Sequence, residues 1–258
     1  MLFTSEIPIT AMDKVKTPFP FLIWHYFSNR NYKDPFPTKQ QYGIVDNGCF
    51  ETATGVVKEN KIVMPRHARY YCVVPDMFGE APSSQMAKIH TYVRNRTMFV
   101  PHAPDIHQYG LVLSYFLSYV SKKQPRAKVL LGISYMEPFY HKNWIRAAFE
   151  RRMVVKKIND ALEKLDTKHQ VDIHLLGCKS IFELWLCRNF SRVISADSSL
   201  PVLHAMKGKK TRLWSKKIKQ MAGFIELKPN EKQIALIQRN IDYVNKILEN
   251  KNVNKKDV

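Results

Sequence analysis

The sequence predicts an α/β chain that folds as one TIM-like (β/α)8 barrel. Three observations point there. Short apolar, β-branched-rich runs recur along the chain without strict alternation, the pattern of parallel strands covered on both faces. Helix-like segments separate them, and strand–helix alternation is the signature of a parallel α/β fold. Seven or eight such runs in 258 residues suit a closed barrel. An open doubly wound sheet has the same periodicity and is the alternative.

The elements follow in order. Strands are expected at Phe19–Phe27, Tyr42–Asp46, Tyr70–Pro75, Thr97–Val100, Lys128–Ile133, Val171–Leu176 and Arg192–Ala196, with an eighth at Gly223–Leu227. Helices are expected at Ser83–Arg94, Gln108–Ser121, Trp144–Leu165 and Ile181–Phe190. Glu51–Arg69 reads as a loop or small insertion. Residues 1–229 form the catalytic barrel in this reading. Residues 230–258 form a C-terminal helix with Ile234, Ile237, Ile241, Val244 and Leu248 on one face, then a charged tail.

Composition narrows the partners. Lys and Arg number 41 against 22 Asp and Glu, a net charge of +19, which favours a polyanion and nucleic acid before membrane. The four cysteines, Cys49, Cys72, Cys178 and Cys187, form no CxxC pair, so partly buried free thiols are expected and no metal site. No basic leader precedes a long apolar run, and nothing approaches the roughly 20 apolar residues of a membrane span. A cytoplasmic protein is expected, without membrane association.

Chemistry in such a barrel sits at the carboxyl ends of the strands. Here those ends deliver Asp46, Asp76, His102, Ser134, Gly177 and Asp197. Asp and Asn also begin turns and cap helices, which accounts for any one of these acids alone. Three acids at equivalent positions point to a site. Convergent carboxylates suit glycosyl chemistry, one attacking an anomeric carbon and one moving protons.

Those residues resemble the tRNA-guanine transglycosylase superfamily. Asp46-Asn47-Gly48-Cys49-Phe50-Glu51 is similar to its Asp-Ser-Gly-Gly-Phe-Gln motif, and His174-Leu175-Leu176-Gly177 to its His-Leu-Met-Gly strand. Asp197-Ser198-Ser199-Leu200-Pro201 is similar to the segment that carries the nucleophile. The resemblance runs from about Phe19 to Pro201. It implies Asp197 as nucleophile, Asp46 as general acid and base, and Asp76 as acceptor from the pairing edge of guanine. Gly132 and Gly177 would admit the base close to the backbone, with His102 and Ser134 completing its pocket. A 7-deazaguanine would enter in exchange, with no cofactor. The family's base-contacting Gln is replaced by His102, and its Cys3His zinc site is absent from the sequence. The chain is therefore most like compact phage-type relatives that modify DNA, which would place it in a host cytoplasm. DNA ranks above tRNA as partner, and a homodimer or partner subunit is conceivable by family analogy.

Basic clusters complete the reading. Lys207, Lys209, Lys210 and Arg212, followed by Lys216, Lys217 and Lys219, come just after the Asp197 segment and suit phosphate contacts. Trp214 among them is expected in the core, with stacking on an exposed base as the alternative. Arg66, His67 and Arg69, and Arg94 with Arg96, form smaller clusters. Arg151, Arg152, Lys156 and Lys157 on the long helix are expected at the solvated surface, because helices pack outside a barrel. Two other functions fit the same acids: a nucleic-acid-binding barrel without catalysis, and a hydrolase of free nucleosides, which leaves the charge unexplained.

Overall fold

The structure, a computed structural model, describes residues 1–23, 42–49, 64, 69–135, 143–165, 170–215 and 226–249. Eight strands form one parallel sheet: β1 (Leu2–Thr4), β2 (Phe21–Ile23), β3 (Ile44–Asp46), β4 (Tyr71–Val73), β5 (Thr97–Phe99), β6 (Val129–Ser134), β7 (Val171–Leu176) and β8 (Val193–Asp197). Every pairing is between sequence neighbours except β1 with β8, so the sheet curls into a barrel whose seam lies between β1 and β2. Across that seam the Thr4 hydroxyl donates to the Phe19 carbonyl at 2.9 Å. The chain is thus a (β/α)8 barrel.

Helices alternate with the strands: α1 (Pro82–Tyr92), α2 (Ile106–Lys123), α3 (Trp144–Leu165), α4 (Ile181–Cys187), α5 (Leu200–Met206) and α6 (Glu231–Glu249). Their starts are written in the sequence. Pro82 occupies the first turn of α1, where its missing N–H costs nothing. Asp105 caps α2 by accepting from the Gln108 amide at 2.8 Å, and Ser180 caps α4 by accepting from the Glu183 amide at 3.1 Å. Asn143 does the same ahead of α3, accepting from Ile145 at 3.0 Å.

Alternation along the strands separates two kinds of core. Ile44, Val73, Met98, Val100 and Leu130 pack with Phe19 and Phe21 and with Leu176 and Ile194, a cluster drawn from the strands and the residues flanking them; this is the barrel interior. Their neighbours in sequence, including Phe99, Leu131, Ile133, Ile173 and Leu175, face outward onto the helices. The C-terminal helix α6 lies across α5 and β1 and buries Ile237, Ile241 and Val244. It thereby covers the seam strand.

Three expectations change. The eighth strand is Leu2–Thr4, not Gly223–Leu227: Glu226 and Leu227 are outside any strand, and residues 223–225 lie outside the described residues. Leu2 and Phe3 stand alone before the polar Thr4-Ser5-Glu6, whereas the equally short β2 to β5 sit inside longer predicted runs; β1 exists because β8 offers it a ladder partner. Arg151 is 1% exposed, contrary to the solvated surface expected of it, whereas Lys156 and Lys157 are exposed. All four cysteines are buried rather than partly buried, and none forms a disulfide; burial pushes the Cys187 thiol up to about 12. The Glu51–Arg69 loop, with Arg66 and His67, and the charged tail lie outside the described residues, apart from Met64, Arg69 and the helix itself. Among the described residues no helix is long and apolar enough to cross a membrane.

Candidate active site

Two polar clusters sit at the carboxyl ends of the strands, inside the barrel mouth. The first is built on β7 and β8. His174 shares the inner face of β7 with Leu176 and is 0% exposed. Between β7 and β8 the register slips, His174 pairing with Ser195 while Ile173 pairs with Val193. This bulge turns both Ile194 and Ser195 toward the interior and keeps Asp197 there at the strand end. His174 Nδ1 lies 2.8 Å from Ser195 Oγ, and Nε2 lies 3.1 Å from Asp197 Oδ1. The Gly177 amide donates to the same Asp197 oxygen at 3.0 Å. Tyr42 Oη bonds Ser195 Oγ from the other side.

One proton arrangement satisfies every member of that chain. Tyr42 donates to Ser195, Ser195 donates to His174 Nδ1, and the Nε2–H donates to an ionised Asp197. Burial raises the Tyr42 phenol above its ordinary value, which keeps the proton at the head of the chain. Phe21 stacks on the imidazole with ring centres 6.1 Å apart and excludes water from its face. Asp197 is thus a 2% exposed carboxylate held in place by an imidazole N–H and a backbone N–H.

The second cluster joins β3, β4 and β5. Asn47 donates to Asp76 Oδ1 at 2.5 Å and to the Val74 carbonyl at 2.9 Å. His102 Nε2 lies 2.6 Å from Asp76 Oδ2. Gln85 of α1 fixes the His102 backbone twice, donating to its carbonyl at 2.5 Å and accepting from its amide at 3.0 Å. His102 is 2% exposed and its Nδ1 has no hydrogen-bond partner among the described residues. Asp46 ends β3 half-buried, on the interior side with Ile44.

The remaining predicted residues divide. Ser134 ends β6, buried and in register with Leu176. Gly132 lies one pleat deeper, where a Cβ would come within 2.7 Å of Leu176 and 2.8 Å of Val100; packing of the interior already requires glycine there. Gly177 has φ +62°, and a Cβ on it would meet the Tyr135 ring at 2.7 Å. Gly177→Ala should therefore lower stability by about 1–2 kcal/mol for the left-handed backbone alone. Urea unfolding checks this, and an unchanged midpoint would mean the backbone leaves that conformation without cost. Lys207, Lys209, Lys210 and Arg212 are exposed in the turn after α5, and among the described residues none of them forms an ion pair; Lys216, Lys217 and Lys219 lie outside the described residues.

The sequence places His174 and Asn47 within quoted motifs and Ser195 and Tyr42 within expected strands, but none of the four is assigned a role there. The signal was the two-residue spacing. His174 and Leu176 on β7, and Ser195 and Asp197 on β8, share a face by strand geometry. Among the described residues no group of three or more His, Cys, Asp or Glu is placed to hold a metal ion. A cleft of about 620 Å³ between α2 and α3, lined by Leu117, Ile158 and Leu162 among others, opens near the start of β7 and includes none of the predicted site residues.

No family model matches this sequence, and no curated protein does either. The geometry of the site therefore carries the functional argument.

Proposed function

We propose that the chain is a nucleic-acid guanine transglycosylase that exchanges guanine for a 7-deazaguanine base, with DNA as the favoured substrate. The observation that carries this reading is Asp197. It is a buried carboxylate at a barrel-strand end, aligned by His174 Nε2 and the Gly177 amide. Two donors on Oδ1 leave Oδ2 as the oxygen to attack.

In this mechanism an Asp197 oxygen bonds C1′ of the target nucleotide as the C1′–N9 bond breaks, and its electron pair departs with guanine. Asp46, protonated, supplies the proton that neutralises the leaving base. The incoming 7-deazaguanine then attacks C1′ through N9 and gives its proton to Asp46, and the Asp197 carboxylate is released. Asp76 accepts N–H groups of the base through the lone pairs that Asn47 and His102 leave available. His102 Nδ1 supports a base pocket as well, since a buried polar nitrogen without a partner costs about 1–3 kcal/mol until a ligand meets it. The net charge of +19 suits a polyanionic substrate.

The test is release of labelled guanine from DNA and from tRNA in the presence of several 7-deazaguanines. Release from DNA is expected. Release from tRNA alone would keep the reaction and change the substrate, and release from neither would overturn the proposal.

A further inference from the structure

The Lys207–Ser215 segment follows α5 on the outside of the barrel and plays no part in the acid clusters. Its backbone is pinned to α6. The Thr211 amide donates to Asn240 Oδ1 at 2.9 Å, and the Leu213 amide donates to Tyr243 Oη at 3.3 Å. Asn240 Nδ2 in turn donates to the Lys209 carbonyl at 3.1 Å and the Pro201 carbonyl at 2.9 Å. Gly208 takes φ +67° to make the turn. The backbone is held while the side chains of Lys207, Lys209, Lys210 and Arg212 all point to solvent. Among the described residues none of the four forms an ion pair, whereas Glu150, Asp160 and Glu163 of α3 each pair with a cation.

The segment ends in an aromatic stack. Trp214 lies on Phe182 with centroids 4.5 Å apart and planes at 24°, and Phe182 lies on Trp185 at 6.0 Å and 17°. Phe182 is inside the stack, whereas Trp214 caps it and is 47% exposed. The expectation of a core Trp214 is thereby corrected: the ring packs on Phe182 and the residue stays about half exposed. Phe182 belongs to the first turn of α4, which follows the β7 end that supplies the Gly177 amide to Asp197.

We infer that this segment is a docking platform for an unpaired nucleic-acid strand, in which Trp214 adds a base to its stack and the neighbouring cations take the flanking phosphates. A half-exposed ring at the end of a stack fits a base that has no pairing partner, because a duplex keeps its base faces covered. The four unpaired cations match a phosphate chain. They also argue against a second copy of this chain, since an isologous dimer would bring like charges together. The inference shares with the proposed function only its nucleic-acid partner and does not depend on base exchange.

The test is binding of the full chain to single-stranded DNA and RNA of about 15 nucleotides and to duplex DNA, a length chosen from the site sizes of single-strand binders. Intrinsic fluorescence and anisotropy are read across a salt series. The single strands should quench tryptophan emission and bind more tightly than the duplex. Trp214→Phe should keep affinity within about twofold and lose most of the quench, whereas Trp214→Ala should weaken binding about tenfold. The combined Lys209→Ala, Lys210→Ala and Arg212→Ala variant should flatten the salt dependence by about 2 in slope. A preference for DNA or RNA identifies the strand. Unchanged affinity in Trp214→Ala, tighter duplex binding, or a concentration-dependent dimer that Trp214→Ala abolishes would overturn the inference. A chain that binds through Trp214 without exchanging bases would sink the transglycosylase reading and leave the platform standing.

Discussion

Asp197→Asn should abolish covalent trapping on guanine-containing nucleic acid and slow base exchange by at least about 10⁴-fold, the scale on which losing a nucleophile is felt. Asparagine is chosen because its amide oxygen can still accept from His174 Nε2 and from the Gly177 amide, both of which now meet Asp197 Oδ1. The site keeps its shape and loses the attacking carboxylate. Asp197→Ala should lose activity equally and also lose stability by about 1–3 kcal/mol, because two buried donors are left without an acceptor. The pair of variants separates chemistry from folding. Denaturing gel electrophoresis after incubation with DNA reads the trapped species, and urea unfolding reads stability. Nucleic-acid affinity should persist in both variants. Trapping by Asp197→Asn at the level of the unaltered chain would remove Asp197 from the nucleophile's role.

Why the acids were legible and their supports were not follows from how each is encoded. Asp46 and Asp197 end apolar runs, so they stand out as the polar residue that closes a strand. The runs themselves were legible because parallel strands buried on both faces are continuously apolar. His174 was hidden by the same rule. A histidine inside an apolar run reads as a core exception, and only the bulge that turns Ser195 inward joins it to Asp197. Strand β1 was hidden because only Leu2 and Phe3 precede the polar Thr4-Ser5-Glu6, whereas the equally short β2 to β5 sit inside longer runs; its ladder partner is β8. Trp214 was misjudged because local sequence cannot tell a ring that ends a stack from one inside it.

Arg151 was misread for a related reason, and its replacement should have the largest effect on stability. A charged residue on an outer helix is usually solvated, but the heptad-like spacing of Ala147, Ala148, Arg151, Val155, Ile158 and Leu162 puts it on the buried stripe of α3. There Nη1 donates to Glu183 Oε1 at 2.8 Å, and Nη2 donates to the Leu176 carbonyl at 3.0 Å and to the Ile133 carbonyl. Burial works against its charge, and the Glu183 carboxylate, followed by Cys178, outweighs that and holds its affinity for the proton above the ordinary value. Arg151→Met keeps most of the volume and leaves Glu183 buried without its counter-charge, so it should cost about 3–5 kcal/mol. For a chain of this size that is a fall in Tm of roughly 6–20 °C. Adding Glu183→Gln should recover part of the loss, because the stranded charge is then gone. A loss below about 1 kcal/mol in Arg151→Met would show that the ion pair is not needed. The same guanidinium ties the carbonyls of Ile133 and Leu176, each one residue before Ser134 and Gly177. Arg151→Met should therefore also slow exchange at temperatures where it remains folded, by loosening the amide that aligns Asp197. That second effect distinguishes a residue that positions the strand ends from one that merely fills the space behind them.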